Sequence, residues 1–137
     1  MQKKNILLCV SGGIAVYKAV SLTSKLTQAN FNVKVMMTNS AMKFVQPLSF
    51  QAISRNDVYY DTFDEKDSSV IAHIDLADWA DLILVAPATA NVIGKLANGI
   101  ADDMVTTTLL AATAPVWIAP AMNVNMYNHP AVIRNIN

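Results

Sequence analysis

Short runs of consecutive apolar residues alternate along this chain with segments in which apolar residues recur every three or four positions. A consecutive run of strand length is typical of a strand buried on both faces, whereas the wider spacing is typical of an amphipathic helix. Such runs predict core strands at residues 5–10, 32–37, 81–86 and 115–120. Strands that alternate with helices predict a doubly wound, Rossmann-like α/β/α fold of three layers, in which helices cover both faces of a parallel sheet.

The segments between these runs predict the helices. From Ile14 onward apolar residues fall at helical spacing, which predicts the first helix after a glycine turn. Residues 56–69 instead mix acidic and aromatic side chains without a sustained period, and predict an exposed excursion or a short edge element. Further helices are predicted at residues 41–44, 48–53, 77–80, 91–97 and 102–112, with a helix start at Pro130.

The length and composition of the chain agree with this predicted fold. The chain has 137 residues, enough for one domain, and 53% of them are hydrophobic, so we expect a two-sided core and apolar surface covered by other subunits.

Ten basic and ten acidic residues give no electrostatic reason to expect nucleic acid or an acidic membrane as partner. No apolar run reaches the roughly 20 residues of a membrane helix. The single cysteine, Cys9, fits a reducing cytoplasm and is expected to be a small buried hydrophobic residue.

Four loops follow the four predicted strands, at residues 11–13, 38–40, 87–91 and 120–123. Parallel strands end at the same edge of a sheet, so these loops are expected to lie together. Hydroxyls, glycine amides and helix amino termini at that edge suit a phosphate without lysine or arginine. Each of Ser11, Thr38 and Ser40 alone could be only a helix cap. The convergence of the loops favours an anionic ligand.

Familiar nucleotide motifs are absent from these loops. The first turn has no three spaced glycines, and Gly94-Lys95 lacks the leading glycine and the hydroxyl residue of a P-loop, which leaves Lys95 unassigned or at an interface. His73, among apolar residues, is either a structural histidine or, near the ligand edge, an acid or base. Asn91 and Asn123 can each bind a planar heterocycle or a carboxylate, or tie their own loop. The spacing of the histidines predicts no metal site.

Four motifs occur in order along the chain: SGGIAVYK at residues 11–18, HIDLADWAD at residues 73–81, PATANVIGKLANGIAD at residues 87–102 and PAMNVNM at residues 120–126. Together they resemble the homo-oligomeric flavin-containing cysteine decarboxylases, and most closely their phosphopantothenoylcysteine decarboxylase branch. The resemblance covers essentially the whole chain.

The resemblance implies a site that binds flavin mononucleotide (FMN). Its first loop contacts the flavin, Ser40 and its neighbours hold the phosphate, and the third and fourth loops line the isoalloxazine. It further implies that His73 is the catalytic acid or base and that Asn123 orients the substrate carboxylate with Met126 beside it. The cofactor-binding residues implied are Ser11, Gly12, Gly13, Ile14, Thr38, Ser40, Thr89, Ala90, Asn91 and Ala121.

In this family the flavin takes two electrons from the CH2–SH carbon of a cysteinyl substrate, because the resulting thioaldehyde can accept the electrons that departing CO2 leaves behind. The resemblance therefore implies FMN-dependent conversion of 4′-phosphopantothenoylcysteine to 4′-phosphopantetheine in coenzyme A biosynthesis, by a cytoplasmic homo-trimer or dodecamer. Two alternatives stay open. One is a peptidyl-cysteine decarboxylase of lantibiotic maturation, and the other is a non-catalytic flavin-binding regulatory protein, against which the presence of both His73 and Asn123 argues.

The family's substrate clamp and its cysteine follow the last of the four motifs. Residues 1–137 are therefore expected to be a single flavin-binding decarboxylase domain, truncated before the clamp and before any synthetase domain. Cys9, in the first strand, is not expected to replace the clamp cysteine.

Overall fold

The computed structural model describes residues 3–60 and 75–137. Within these ranges five strands form one parallel sheet in the order β3-β2-β1-β4-β5. The strands are β1 (Asn5–Val10), β2 (Asn32–Met37), β3 (Val58–Tyr60), β4 (Leu82–Ala88) and β5 (Val116–Pro120). The helices are α1 (Val16–Gln28), α2 (Pro47–Ser54), α3 (residues 75–79), α4 (Ala90–Ala97), α5 (Met104–Ala111), α6 (Val124–Tyr127) and α7 (Pro130–Ile136), with a 3₁₀ turn at Ala41–Lys43. The predicted doubly wound, parallel α/β fold is confirmed.

The core lies on both faces of the sheet, as the apolar runs predict. Successive residues of a strand point to opposite faces, and β1 divides accordingly. Leu7 and Cys9 belong to a cluster with residues of α4 and α5, whereas Leu8 and Val10 belong to a second cluster with residues of α1 and α2. All four side chains are fully buried. The central position of β1 explains why its sequence is a run of apolar residues without alternation.

One predicted element differs from the structure in a way that matters for the site, and one element was not predicted. Residues 115–120 were expected to form a core strand, but β5 is an edge strand that pairs only with β4 among the described residues, and Trp117 is 63% exposed. Its apolar composition is therefore not a sign of burial within this part of the chain. The sequence pattern also gives no sign of α6, because four residues are too few to show a helical period.

The edge strand β3 falls within residues 56–69, for which an exposed excursion or a short edge element was predicted. Its residues are half-buried, and it pairs with β2 through Val58 to Tyr60. In the part of the chain that the structure describes, no helix has both the length and the apolar composition that crossing a membrane requires.

Candidate functional site

The loops that follow β1, β2 and β4 enclose a cavity of about 440 Å³ at the carboxyl edge of the sheet. These strands are neighbours in the sheet, so their loops emerge side by side. The volume lies within the roughly 300–1,000 Å³ of typical cofactor and ligand pockets. The lining residues are Ser11, Gly12, Thr38, Asn39, Ser40, Thr89, Asn91, Val92, Lys95, Asp102 and Asp103.

Ser11 joins the loop after β1 to the loop after β4. Its backbone N–H donates to the Pro87 carbonyl oxygen at 3.3 Å, and its hydroxyl donates to the same oxygen. The Ser11 Oγ also accepts a hydrogen bond from the backbone N–H of Thr89 at 3.1 Å. Ser11 is only 1% exposed, so its hydroxyl serves to fix the relative position of the two loops.

Gly12 brings the loop after β1 against the loop after β2. A Cβ atom added to Gly12 would lie 2.5 Å from Ser40 Cβ and 3.0 Å from the Ser40 carbonyl carbon. The first distance is too short for any Cβ atom to fit unless one of the two loops moves, and the second is tight. Glycine at this position is therefore a condition of the close approach that forms one side of the cavity.

Several donors in the cavity have no partner within the described chain. Among these residues, the backbone N–H groups of five lining positions have no hydrogen-bond acceptor: Gly12, Asn39, Ser40, Asn91 and Asp102. The exposed hydroxyl of Ser40 makes no capping bond to the 3₁₀ turn that follows it. Converging N–H and O–H donors provide what a phosphate group needs in order to bind without a paired cation.

The two threonines of the cavity, in contrast, already have partners. Thr38 Oγ1 accepts a hydrogen bond from the backbone N–H of Ala41 at 3.2 Å, and Thr89 Oγ1 caps α4 by accepting one from Val92 N at 3.3 Å. The alternative interpretation of Thr38 as a cap is thus correct as far as its side chain is concerned. Both hydroxyls keep a proton to donate to a ligand.

Lys95 completes the wall of the cavity together with two carboxylates. Its Nζ lies 2.9 Å from Asp102 Oδ1 and 3.7 Å from Asp103 Oδ2. Asp103 also begins α5, where its Oδ1 accepts a hydrogen bond from Thr106 N at 2.8 Å. From the sequence alone Lys95 was unassigned or at an interface. Its spacing of four residues from Asn91 was a usable signal that it lies at the site, because positions i and i+4 share one face of a helix.

The predicted substrate residues surround a second cavity, of about 390 Å³, lined by Asn123, Asn125, Met126, His129 and Val132. Asn123 caps α6, since its Oδ1 accepts a hydrogen bond from Met126 N at 2.9 Å. Asn123 and Met126 are both exposed. The alternative in which Asn123 hydrogen bonds within its own loop is therefore correct for its Oδ1, and its amide N–H2 group stays available to a ligand.

Not every predicted site residue lines one of these two cavities. Gly13 and Ala90 are adjacent in sequence to lining residues, whereas Ile14 is two residues beyond Gly12. Ala121 donates its N–H to the Ala88 carbonyl oxygen at 3.0 Å, which continues the pairing of β4 with β5. His73 falls outside the described residues, and its catalytic role stays a prediction. No group of three or more potential metal ligands occurs in residues 3–60 and 75–137.

Cys9 lies in the core beneath this edge. It is fully buried, and burial, with a smaller contribution from the negative charge of Asp103, raises the pKa of its thiol to about 12. A thiol with such a pKa is neutral at physiological pH and is a poor nucleophile. The prediction that Cys9 is a small buried hydrophobic residue is confirmed.

Comparison with known proteins gives consistent results. A family model described as Flavoprotein matches residues 1–137. The coenzyme A biosynthesis bifunctional protein CoaBC of Bacillus subtilis is 77% identical over 137 residues, which are 100% of this chain and 34% of that protein. A protein of Streptococcus mutans, described as a probable phosphopantothenoylcysteine decarboxylase, is 49% identical over 135 residues, which are 97% of this chain and 75% of that protein.

A solved structure is similar at the level of the whole fold. The FMN-dependent cysteine decarboxylase TvaF from thioviridamide biosynthesis has a TM-score of 0.90 and 34% identity, over 98% of this chain and 83% of that one. The chain thus spans about a third of the length of the Bacillus subtilis relative and most of the length of the other two proteins.

Proposed function

The chain belongs to the flavoprotein family, and from that premise we propose that it binds FMN and decarboxylates 4′-phosphopantothenoylcysteine in coenzyme A biosynthesis. The observation that carries this proposal is the convergence of unpaired donors from the loops after β1, β2 and β4 in one cavity. The relatives that are 77% and 49% identical are described with that pathway or that activity, which supports the choice of substrate.

The residues of the first cavity fit the phosphate of FMN. Its negative charge needs several hydrogen-bond donors, and the N–H groups of Gly12, Asn39 and Ser40, with the Ser40 hydroxyl, supply them at the place where two loops are in contact. Asn91 and Thr89 lie on the neighbouring wall, where an amide and a hydroxyl can hydrogen bond to the polar edge of a heterocycle. When bound, FMN supplies the two-electron acceptor that cysteinyl decarboxylation requires.

The chain's own residues bind and orient the substrate in this proposal. Asn123 donates its amide N–H2 to the substrate carboxylate while its Oδ1 remains on Met126 N, so that the cap of α6 fixes the donor in place. The apolar side chain of Met126 packs against the cysteinyl part. His73 takes up the thiol proton during oxidation, a role that rests on the motif it shares with the family.

FMN binding is the first test. The purified protein is expected to be yellow, with the oxidised-flavin absorbance near ~450 nm, and the apoprotein is expected to quench the fluorescence of added FMN. A colourless protein that ignores added FMN would remove the basis of the proposal.

The reaction is the second test. A chain extended past Asn137 and loaded with FMN is expected to release CO2 from 4′-phosphopantothenoylcysteine, and His73→Asn is expected to abolish the release while leaving FMN bound. Retained activity in this variant would exclude His73 as the acid or base.

A peptide substrate is the second candidate, favoured by the structural similarity to a cysteine decarboxylase from thioviridamide biosynthesis. Competition between 4′-phosphopantothenoylcysteine and a peptide that ends in cysteine separates the two candidates, and we expect 4′-phosphopantothenoylcysteine to be consumed first.

A cytoplasmic homo-trimer or dodecamer is part of the same proposal, and light scattering of the purified protein tests the oligomeric state. A monomer would contradict that part alone.

A further inference from the structure

Lys95, Asp102 and Asp103 form a charged cluster in the wall of the first cavity. We refer to these three residues as the Lys95 cluster. One ammonium group and two carboxylates give it a net charge of −1. The cavity is otherwise lined by residues without formal charge, so the Lys95 cluster is the source of charge within its wall.

Lys95 carries the positive charge of the cluster. The hydrogen bond to Asp102 is the largest cause that raises the pKa of Lys95 above its usual value, so the lysine stays an ammonium. The side chains of Lys95 and Asp103 are each 22% exposed, and that of Asp102 is 57% exposed. Partial burial weakens screening by water, so charges here act on a ligand more strongly than charges on the open surface do.

We propose that the net charge of the Lys95 cluster tunes the cofactor of the first cavity, with Lys95 as the positioning residue that offsets the two carboxylates. This inference rests on the proposed binding of FMN. Two-electron reduction with uptake of one proton adds a negative charge to the isoalloxazine, so a nearby negative charge opposes reduction and a nearby positive charge favours it. Lys95 therefore keeps the reduction potential higher than the two carboxylates alone would allow.

The same cluster also has a structural role, from which the electrostatic one has to be separated. Lys95 lies in α4, Asp102 and Asp103 lie in the connection to α5, and the Lys95 carbonyl oxygen accepts a hydrogen bond from Ile100 N at 2.9 Å. If the ion pair merely held this connection in place, loss of either partner would have the same effect. If its charge acts on the ligand, loss of Lys95 and loss of Asp102 would have opposite effects.

Four holoproteins separate the two roles: wild type, Lys95→Met, Asp102→Asn and the double variant. The net charge of the cluster is −1, −2, 0 and −1 in that order. The midpoint potential of bound FMN is measured for each by dithionite titration against a reference dye. Lys95→Met is expected to weaken the binding of reduced FMN about tenfold relative to the binding of oxidised FMN. This change lowers the midpoint potential by about 30 mV for a two-electron couple.

Asp102→Asn is expected to shift the potential in the opposite direction, and the double variant is expected to return to within about twofold of the wild-type affinity ratio. Lys95→Arg keeps the charge and is expected to keep the potential. Lys25→Met removes an exposed lysine from the last turn of α1 and controls for the change in total charge. Parallel shifts in the two single variants, or a double variant whose shift exceeds theirs, would overturn the inference and leave a structural role only.

FMN binding by the wild-type protein tests the proposed function separately from the role of the Lys95 cluster. A wild-type protein that binds no FMN refutes the proposed function. A wild-type protein that binds FMN, with equal potentials in all four proteins, refutes the tuning role of the Lys95 cluster and leaves FMN binding intact.

Discussion

The two sides of β4 are built differently although their loops reach the same edge of the sheet. On one side, β1 and β2 are buried on both faces, and the loops after them are in contact at Gly12 and Ser40. On the other side, only Ile118 of β5 is even half-buried, and no residue of α6 or α7 is buried. The proposed phosphate site lies on the first side, and the proposed substrate residues Asn123 and Met126 lie on the second.

The difference shows how the two halves of the site obtain their geometry. The cofactor side is positioned by the packing of a two-sided core and by buried hydrogen bonds such as those of Ser11. The substrate side is held by local bonds, above all the cap that Asn123 provides to α6 and the bond from Ala121 N to Ala88 O. We therefore expect the cofactor side to contribute most of the stability and the substrate side to contribute little.

Truncating paired positions on β4 and β5 tests this contrast most strongly. Ile83 and Val116 are partners in the register of the two strands, but Ile83 is fully buried and Val116 is 40% exposed. Ile83→Ala is expected to lower the free energy of unfolding by about 3 kcal/mol, because it removes buried methyl groups and leaves a cavity. Val116→Ala is expected to change it by less than about 1 kcal/mol. Urea denaturation measures both, and equal losses would contradict the contrast.

A substitution at the contact of the two loops links stability to cofactor binding. Gly12→Ala places a Cβ 2.5 Å from Ser40 Cβ, so the loops must separate. We expect a loss of about 2 kcal/mol in the free energy of unfolding, as in overpacked sites, and a loss of FMN affinity of about 100-fold, since the phosphate donors move apart. Fluorescence titration with FMN gives the affinity.

Gly94→Ala is the matched control for that experiment. A Cβ at Gly94 would meet only Asn135 Nδ2, at 3.6 Å, which is an ordinary contact, and Gly94 lies inside α4. Alanine is the better helix former by about 1 kcal/mol, so the variant is expected to be at least as stable as the wild type and to bind FMN equally well. If Gly94→Ala impairs binding as strongly as Gly12→Ala, the contact with Ser40 is not the reason for the loss.

Burial of Cys9, which lies in β1 on the cofactor side, predicts that the free energy of unfolding depends on pH. Its pKa is raised from 9.0 to about 12 by burial, so the folded state keeps a proton that the unfolded state loses above pH 9. The stabilisation is complete below pH 9 and decreases as pH rises from 9 to 12. Relative to Cys9→Ala, the wild type is expected to lose about 1.4 kcal/mol between pH 7 and pH 10. Equal losses in the two proteins would show that the thiol is accessible to water.

The fold was largely predictable because its strands are buried on both faces and therefore form apolar runs. The sequence predicted β1, β2 and β4 to within two residues at their ends, and also the glycine turn before α1. The prediction for residues 115–120 was wrong about burial, since an apolar run at a sheet edge looks the same as one in the middle. Whether a strand has one neighbour or two depends on the sheet order, which no local pattern determines.

The site was predictable only in part. The convergence of the loops with Ser11, Gly12 and Ser40 follows from parallel topology, and the structure places these residues in one cavity. The role of Gly12 in contact with Ser40 could not be predicted, because it depends on the distance between two loops that are far apart in sequence. The ion pairs of Lys95 could not be predicted for a similar reason, because its carboxylate partners lie beyond the end of α4, across a turn whose path the sequence does not specify.

The smallest effect on stability is expected at Asn123, where a substitution can impair substrate binding without destabilising the fold. Asn123→Asp keeps an oxygen that accepts the hydrogen bond from Met126 N, and aspartate is as good a cap as asparagine. The free energy of unfolding is therefore expected to change by less than about 0.5 kcal/mol. The new negative charge repels the substrate carboxylate, so the KM for 4′-phosphopantothenoylcysteine is expected to rise about tenfold or more, with FMN affinity unchanged.

Asn125→Asp supplies the control, because it adds the same charge to the same cavity at a position with no assigned role. If Asn123 binds the carboxylate directly, its variant must raise KM well above the rise caused by Asn125→Asp. Equal rises would mean that the charge of the cavity matters and not the amide of Asn123. A large loss of stability in Asn123→Asp alone would mean that the substrate side contributes to folding as the cofactor side does.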